Sequence, residues 1–309
     1  MNKVCVLGSI NMDLVIKVKD MPRVGETILS NSFVKIAGGK GANQAVAAKR
    51  VGNEVSMIGK IGKDENGQIL KELLEKDNID TSSIYIDNIN PTGMAMITVD
   101  KDSNNSIVVI SGSNMTITND EIIKAKKKIT ESDILIAQFE TSEECILEAF
   151  KIAKENNKLT ILNPAPAKEM SDELLKYTDI IIPNETEAEV ITGVKVFDID
   201  SAKAASEKLL EKGPKYVIVT LGEKGAAVIN KERCEIVQAF KVNAKDTTAA
   251  GDSFIGGLSS KLDTKDLSFD NLIKAVRFGN KVSSIAVQRE GAMPSIPTLE
   301  EIVEVYGDE

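Results

Sequence analysis

From about residue 117 onward the chain alternates between short, near-continuous apolar runs and longer stretches with apolar residues three and four positions apart. The runs Ile134-Leu135-Ile136, Leu159-Thr160-Ile161-Leu162, Ile180-Ile181-Ile182 and Tyr216-Val217-Ile218-Val219 predict strands with no wet face. The stretches between them, for example Glu143 to Asn156 and Ser201 to Lys212, predict helices with one apolar side. Strand and helix alternating in this way predict an α/β protein of three layers, αβα, with a mostly parallel central sheet covered on both faces. On such sheets ligands lie outside the carboxyl ends of the strands.

Two early segments break the rhythm. Met12 to Ile36 and Thr92 to Ile110 alternate polar and apolar residues between turn signals, which predicts strands that do not belong to β–α units. Asp102-Ser103-Asn104-Asn105 is a candidate hairpin turn between two of them. Further helices are predicted after Gly41, ending near Gly52, from about Phe269 to Val287, and over Leu299 to Tyr306. There is no internal repeat, low-complexity tract or linker, so residues 1–309 are expected to form one domain.

A chain of 309 residues that is 42% hydrophobic and 28% charged can bury a large core. Its formal charge of −9 argues against nucleic-acid and anionic-membrane partners while leaving room for a local phosphate pocket. Cys5, Cys145 and Cys234 are far apart and form no CxxC pair, so they are expected to be reduced packing residues. Met1-Asn2-Lys3 leads directly into Val4-Cys5-Val6-Leu7, too brief a run for a signal core or a membrane span, and a cytoplasmic protein is expected. The absence of histidine removes Ser-His-Asp triads and imidazole metal sites, leaving carboxylates, lysines and backbone amides to carry chemistry. Neither a GxxxxGK[ST] loop nor a GxGxxG fingerprint is present.

The strongest candidate for chemistry is Lys245-Asp246-Thr247-Thr248-Ala249-Ala250-Gly251-Asp252-Ser253-Phe254-Ile255-Gly256-Gly257, where small residues and then an aspartate precede an apolar helix. Ala249, Ala250 and Gly251 would let an anion approach their N–H groups at a helix N-terminus, with Asp252 beside it as a base. An aspartate capping a helix after a turn is the alternative. Ala37-Gly38-Gly39-Lys40-Gly41-Ala42-Asn43-Gln44 precedes an Ala-rich helix, and its glycines permit close backbone approach by a hydroxyl-rich ligand, or else form a turn with a solvated lysine. Asn11 and Asp13 share one strand face, or stand in a polar turn after the first strand. Asn184-Glu185-Thr186-Glu187 follows a strand and opens a helix, where capping alone would explain the acids. Thr220-Leu221-Gly222-Glu223-Lys224-Gly225 ends a strand in a turn compatible with a β-hairpin.

These segments, with Gly8-Ser9-Ile10-Asn11-Met12-Asp13 near the start and Gly291-Ala292-Met293-Pro294-Ser295 near the end, resemble the signatures of the ribokinase family of sugar kinases in matching order along almost the whole chain. The resemblance implies ATP-dependent transfer of the γ-phosphate to the 5-hydroxyl of D-ribose, with Asp252 as base and an anion hole at Ala249, Ala250, Gly251 and Asp252. It implies sugar contacts from Asn11, Asp13, Gly39, Lys40, Asn43 and Glu140, and nucleotide contacts from Asn184, Thr220, Gly222, Gly225, Gly251 and Asn280. At Asn280 the chain departs from the histidine frequent in that family. Mg²⁺ accompanying ATP would be placed through water by Glu187. An activating monovalent cation, K⁺, would be held mainly by carbonyls at Asp246, Thr248, Ala286, Arg289, Gly291 and Ser295. Residues of about 11–37 and 91–111 would form a small lid sheet over the sugar, and that exposed sheet would pair two copies into a homodimer. Sister kinases of the family acting on 2-deoxyribose, a nucleoside or another sugar, and a non-catalytic sugar- or nucleotide-binding regulator, are the alternatives.

Overall fold

A computed structural model describes residues 1–102 and 104–307. In chain order the strands are β1 (Lys3–Leu7), β2 (Asn11–Lys17), β3 (Ser32–Gly38), β4 (Glu54–Gly62), β5 (Asp80–Asp87), β6 (Gly93–Val99), β7 (Asn105–Ile110), β8 (Ile134–Gln138), β9 (Leu159–Asn163), β10 (Ile180–Ile181), β11 (Tyr216–Thr220), β12 (Ala226–Ile229) and β13 (Cys234–Val237). Nine of them form one sheet in the order β13-β12-β11-β10-β9-β8-β1-β4-β5, parallel from β11 to β5 and closed at one edge by the antiparallel β12 and β13. From β1 the chain first builds outward to β4 and β5, then returns to the other side of β1 to lay down β8. The strand order therefore reverses at β1 and β8, the position where an open α/β sheet leaves a crevice.

The near-continuous apolar strands are buried on both faces. Val4 and Val6 of β1 enter one core with residues of the helices Lys40–Arg50, Glu65–Lys76, Ala250–Lys261 and Phe269–Ala286. Cys5 and Leu7 enter a second core with residues of Glu143–Glu155 and Ile199–Leu210. Cys5 and Cys145 are buried and all three cysteines are free thiols. The Ile199–Leu210 helix begins two residues before the expected Ser201, because Asp198 accepts the Ser201 N–H and caps it there. The helices starting at Glu143 and Phe269 end one residue short of expectation, and the final helix spans Leu299–Tyr306 as expected. No helix among the described residues is long and apolar enough to cross a membrane.

Gly256 and Gly257, which close the segment read as an anion site, serve packing. A Cβ on Gly256 would collide with Ala47 and stand 2.6 Å from Ala48 N, and one on Gly257 would stand 2.6 Å from Val282 Cγ2. The small residues let the helix Ala250–Lys261 press against Lys40–Arg50 on one side and Phe269–Ala286 on the other.

The two early segments build a separate four-stranded sheet in the order β3-β2-β6-β7. β2 pairs antiparallel with β3 but parallel with β6, and the helices Lys40–Arg50 and Glu65–Lys76 with β4 and β5 intervene in the chain before β6. The candidate turn at Asp102–Asn105 lies partly outside the described residues, at Ser103. Its flanks are drawn together by the Asp100 N–H, which donates to Asn104 O at 3.0 Å, and by Asp100 Oδ1, which accepts the N–H groups of Asp102 and Asn104 at 2.9 Å each.

Candidate active site

The carboxyl ends of β9, β10 and β11 open into a cleft of about 180 Å³ whose lining includes Lys40, Asn184, Glu187, Thr220, Gly251 and Asp252. Its floor is the N-terminus of the helix Ala250–Lys261. Ala249 caps that helix in the left-handed region, φ 59° and ψ 13°, a conformation sparsely populated by residues other than glycine and found mainly where surrounding structure imposes it. The first helical bond runs from the Ser253 N–H to Ala249 O at 2.8 Å, so the amides of Gly251 and Asp252 belong to the unpaired first turn. The Ala250 N–H differs from expectation, because the tight turn directs it to Thr247 O at 3.1 Å. A Cβ on Gly251 would meet no atom within 4 Å, so this glycine opens onto the cleft and is not held by packing.

Asp252 is buried, and both of its carboxylate oxygens are held by amides from the Lys40–Arg50 helix. Asn43 Nδ2 donates to Oδ2 at 3.0 Å and Gln44 Nε2 to Oδ1 at 2.9 Å. Next to it lie the polar residues from the β1–β2 junction and the Gly38-Gly39 turn. Gly39 has φ 90°, and a Cβ there would stand 2.7 Å from Asn11 N, so glycine is required for this close backbone approach. Asn11 Oδ1 accepts from Asn114 Nδ2 at 2.6 Å. Glu140, two residues past β8, accepts from the Ser9 hydroxyl and from the Lys40 N–H, the latter at 3.2 Å.

Charge is concentrated here. Burial, reinforced by the Glu140 and Asp252 carboxylates, pushes the Asp13 carboxyl up to about 7. Burial pulls the Lys40 ammonium down, but Asp252, Glu140 and Glu187 together outweigh it and raise its pKa. Burial raises the Glu187 carboxyl, partly offset by the Asn184 N–H and Lys40.

Asn184 and Glu187 form a reciprocal cap, with the Glu187 N–H donating to Asn184 Oδ1 at 2.7 Å and the Asn184 N–H to Glu187 Oε2 at 2.9 Å. Capping thus accounts for both residues and also presents them to the cleft. Gly222 has open space around it, whereas a Cβ on Gly225, at φ 100°, would collide with Val237 O, so Gly225 is fixed by the close approach of the end of β13. Asn280 is away from the cleft lining. Its Nδ2 donates to Val237 O at 3.0 Å and Gln238 O at 3.1 Å, tying its helix to the end of β13.

The six residues expected around a monovalent cation come from the turn at Asp246 and Thr248, from the last residue of the helix Phe269–Ala286 and from the segment after it, which the fold joins. Asp246 Oδ2 accepts the Gly291 N–H at 2.9 Å, and the N–H groups of Lys245 and Asp246 both donate to Val287 O. Burial would raise the Asp246 carboxyl, but the hydroxyl and N–H of Thr248 and the Gly291 N–H hold it below its ordinary value. Ala286 O accepts the Arg289 N–H, the Arg289 guanidinium pairs with Glu301 at 2.7 Å, and Ser295 Oγ donates to Ala292 O at 2.7 Å.

A family model described as pfkB family carbohydrate kinase matches residues 1–299. The chain belongs to this family. Ribokinase of Staphylococcus aureus (strain COL) is 45% identical over 305 residues, 98% of this chain and 99% of that protein. Ribokinase of Haemophilus influenzae is likewise 45% identical, over 97% of this chain and 96% of its own. The solved structure of Arabidopsis thaliana ribokinase complexed with ribose and ATP superposes with a TM-score of 0.90 at 27% identity, covering 100% of this chain and 99% of that one.

Several residues of this carbohydrate kinase site were not singled out from the sequence. Gln44 follows Asn43 directly, but one turn of helix gave no reason to separate its role from core packing. Asn163 and Gln138 end β9 and β8, and a polar residue closing an apolar strand at its carboxyl end was the available signal. Asn114 carried none, and Thr247 lay within the Lys245–Gly257 segment without a role of its own.

Proposed function

We propose that this kinase transfers the γ-phosphoryl group of ATP to the 5-hydroxyl of D-ribose, giving ribose 5-phosphate and ADP. The observation that carries the reading is the Asp252 carboxylate, fixed through both oxygens beside the unpaired first-turn amides of its helix, in a chain 45% identical to ribokinases over nearly its whole length. A hydroxyl is a weak nucleophile at neutral pH, so Asp252 takes its proton as the new O–P bond forms and the bond to the ADP oxygen breaks. The N–H groups of Gly251 and Asp252 stabilise charge on the moving phosphoryl oxygens, aided by the Lys40 ammonium.

Asn11, Asp13, Gly39, Lys40, Asn43 and Glu140 bind the sugar hydroxyls. Asn43 Oδ1 is buried with no donor among the described residues, which leaves an acceptor for a ligand hydroxyl. Asn184, Thr220 and Gly222 face the nucleotide. Glu187 suits a water-mediated role toward Mg²⁺, since its cap occupies Oε2 and magnesium keeps most of its waters. Magnesium bound with ATP neutralises phosphate charge. The Asp246 and Gly291 loops, joined by the Asp246 carboxylate, would hold K⁺ with Thr248, Ala286, Arg289 and Ser295, and the bound charge would steady the turn that sets Ala249.

The chain works as one domain, with the β3-β2-β6-β7 sheet as a lid and the two lids of a homodimer packed together. ADP release from MgATP, with and without K⁺, across D-ribose, 2-deoxyribose, fructose and adenosine tests the reading. Ribose is expected to be preferred and K⁺ to raise the rate. Preference for another acceptor overturns the ribose assignment, and equal rates with and without K⁺ overturn the cation site.

A further inference from the structure

Gln44 lies in a chain of four buried hydrogen bonds whose direction is dictated from one end. Ile182 O can only accept, so Asn163 turns its Nδ2 to it at 3.0 Å and its Oδ1 the other way. That oxygen takes Gln44 Nε2 at 3.1 Å, which leaves Gln44 Oε1 to accept Gln138 Nε2 at 2.7 Å. Gln138 Oε1 is then buried with no donor among the described residues, and the close approach of Gly8 leaves it no room, since a Cβ on Gly8 would collide with it. Reversing any amide would set oxygen against oxygen, so Gln44 Nε2 has one orientation, and its second hydrogen goes to Asp252 Oδ1 at 2.9 Å.

We infer that Gln44 is a positioning residue for catalysis, orienting the Asp252 carboxylate and stabilising its ionised form, with Asn163 and Gln138 fixing Gln44 from the ends of β9 and β8. The inference rests on Asp252 being the base. A donor to a carboxylate favours its charged form, so removing it disfavours the ionised base. A small displacement of a reacting group is costly to rate, on the order of 10²-fold for about 1 Å. Both amide hydrogens of Gln44 and its carbonyl are engaged by protein groups, which leaves no donor for a substrate, so substrate affinity should change little.

Gln44→Met keeps length and removes both donors. Expected are a fall in kcat of about 10- to 100-fold, KM values for ribose and MgATP within about threefold, and an acid limb of the kcat–pH profile displaced to higher pH. Gln138→Met, which leaves Gln44 its donors but frees its carbonyl, should show the same two changes in smaller measure, and decides the matter if Gln44→Met does not fold. Unchanged kcat, or a fall in kcat with the acid limb unmoved, would overturn the inference. Asp252→Asn assayed alongside separates the two readings. If it retains activity, the base assignment fails, whereas an inactive Asp252→Asn beside an unaffected Gln44→Met sinks the positioning role alone.

Discussion

At the scale of single residues, Asp13 carries its ionisation at a cost. Its carboxyl titrates near 7 in the folded protein because burial and the neighbouring Glu140 and Asp252 carboxylates disfavour a further charge. The unfolded chain releases this proton near the ordinary value of 3.8, so between the two values the native state binds more protons. The destabilisation is absent below the unfolded value, grows as pH rises toward 7 and is complete above it. Asp13→Asn should therefore be more stable than the parent at pH 8 by up to about 4 kcal/mol, the equivalent of a carboxyl moved from 3.8 to about 7, and nearly equal to it near pH 3. Thermal melts at the two pH values measure this, and a gap independent of pH would contradict it.

Gly251 is the complementary case, because space around it is open and its importance lies in what an incoming ligand needs. Gly251→Val should keep its melting temperature within a few degrees while kcat falls about 100-fold or more, since the branched side chain covers the anion donors. Loss of stability in step with activity would mean the residue serves packing instead.

At the scale of elements, the site depends on how closely two helices approach. Asp252 rides on Ala250–Lys261, and its two amide partners ride on Lys40–Arg50. Gly256 sets their separation, where a Cβ would collide with Ala47. Gly256→Val is expected to destabilise the protein by about 1–3 kcal/mol through overpacking, read as a lower urea midpoint. It should also lower kcat, because the base and its donors move apart. A variant with parental stability would show that the helices can separate freely.

At the scale of the whole molecule, the four-stranded sheet proposed as a lid leaves apolar side chains in solvent on both of its edges. Phe33 on β3 is 54% exposed, and Ile107, Val108 and Val109 on β7 are 53%, 59% and 53% exposed. Consecutive exposed residues on one strand point to opposite faces, so no single face of this sheet accounts for all of them. Edges of this kind are usually covered. The proposed dimer, in which a second copy packs sheet against sheet, would cover them. Sedimentation should find a dimer, Val108→Lys should shift it to monomer, and the monomer should show a raised KM for ribose with kcat less affected. A monomeric parent protein would refute the dimer.

Much of this could be read from local pattern, because the cause was local. Strands buried on both faces leave unbroken apolar runs, amphipathic helices leave a period near 3.6, and caps such as Asn184 with Glu187 are written within four residues. The segments carrying Asp252 and Lys40 were legible through their matching order with the family's signatures, since a helix cap and a turn explained each of them taken alone. What the chain order could not contain is which distant groups meet. Gln44, Asn163 and Gln138 lie on one helix and two strands, and only the parallel sheet brings their amides into a line ending at Asp252. The same holds for glycines: Gly251, Gly225 and Gly256 look alike in sequence, yet one faces a ligand cleft, one a carbonyl at the end of β13 and one a neighbouring helix. Whether a missing side chain serves approach, turn or packing depends on what stands opposite it, and that is decided only when the chain has folded.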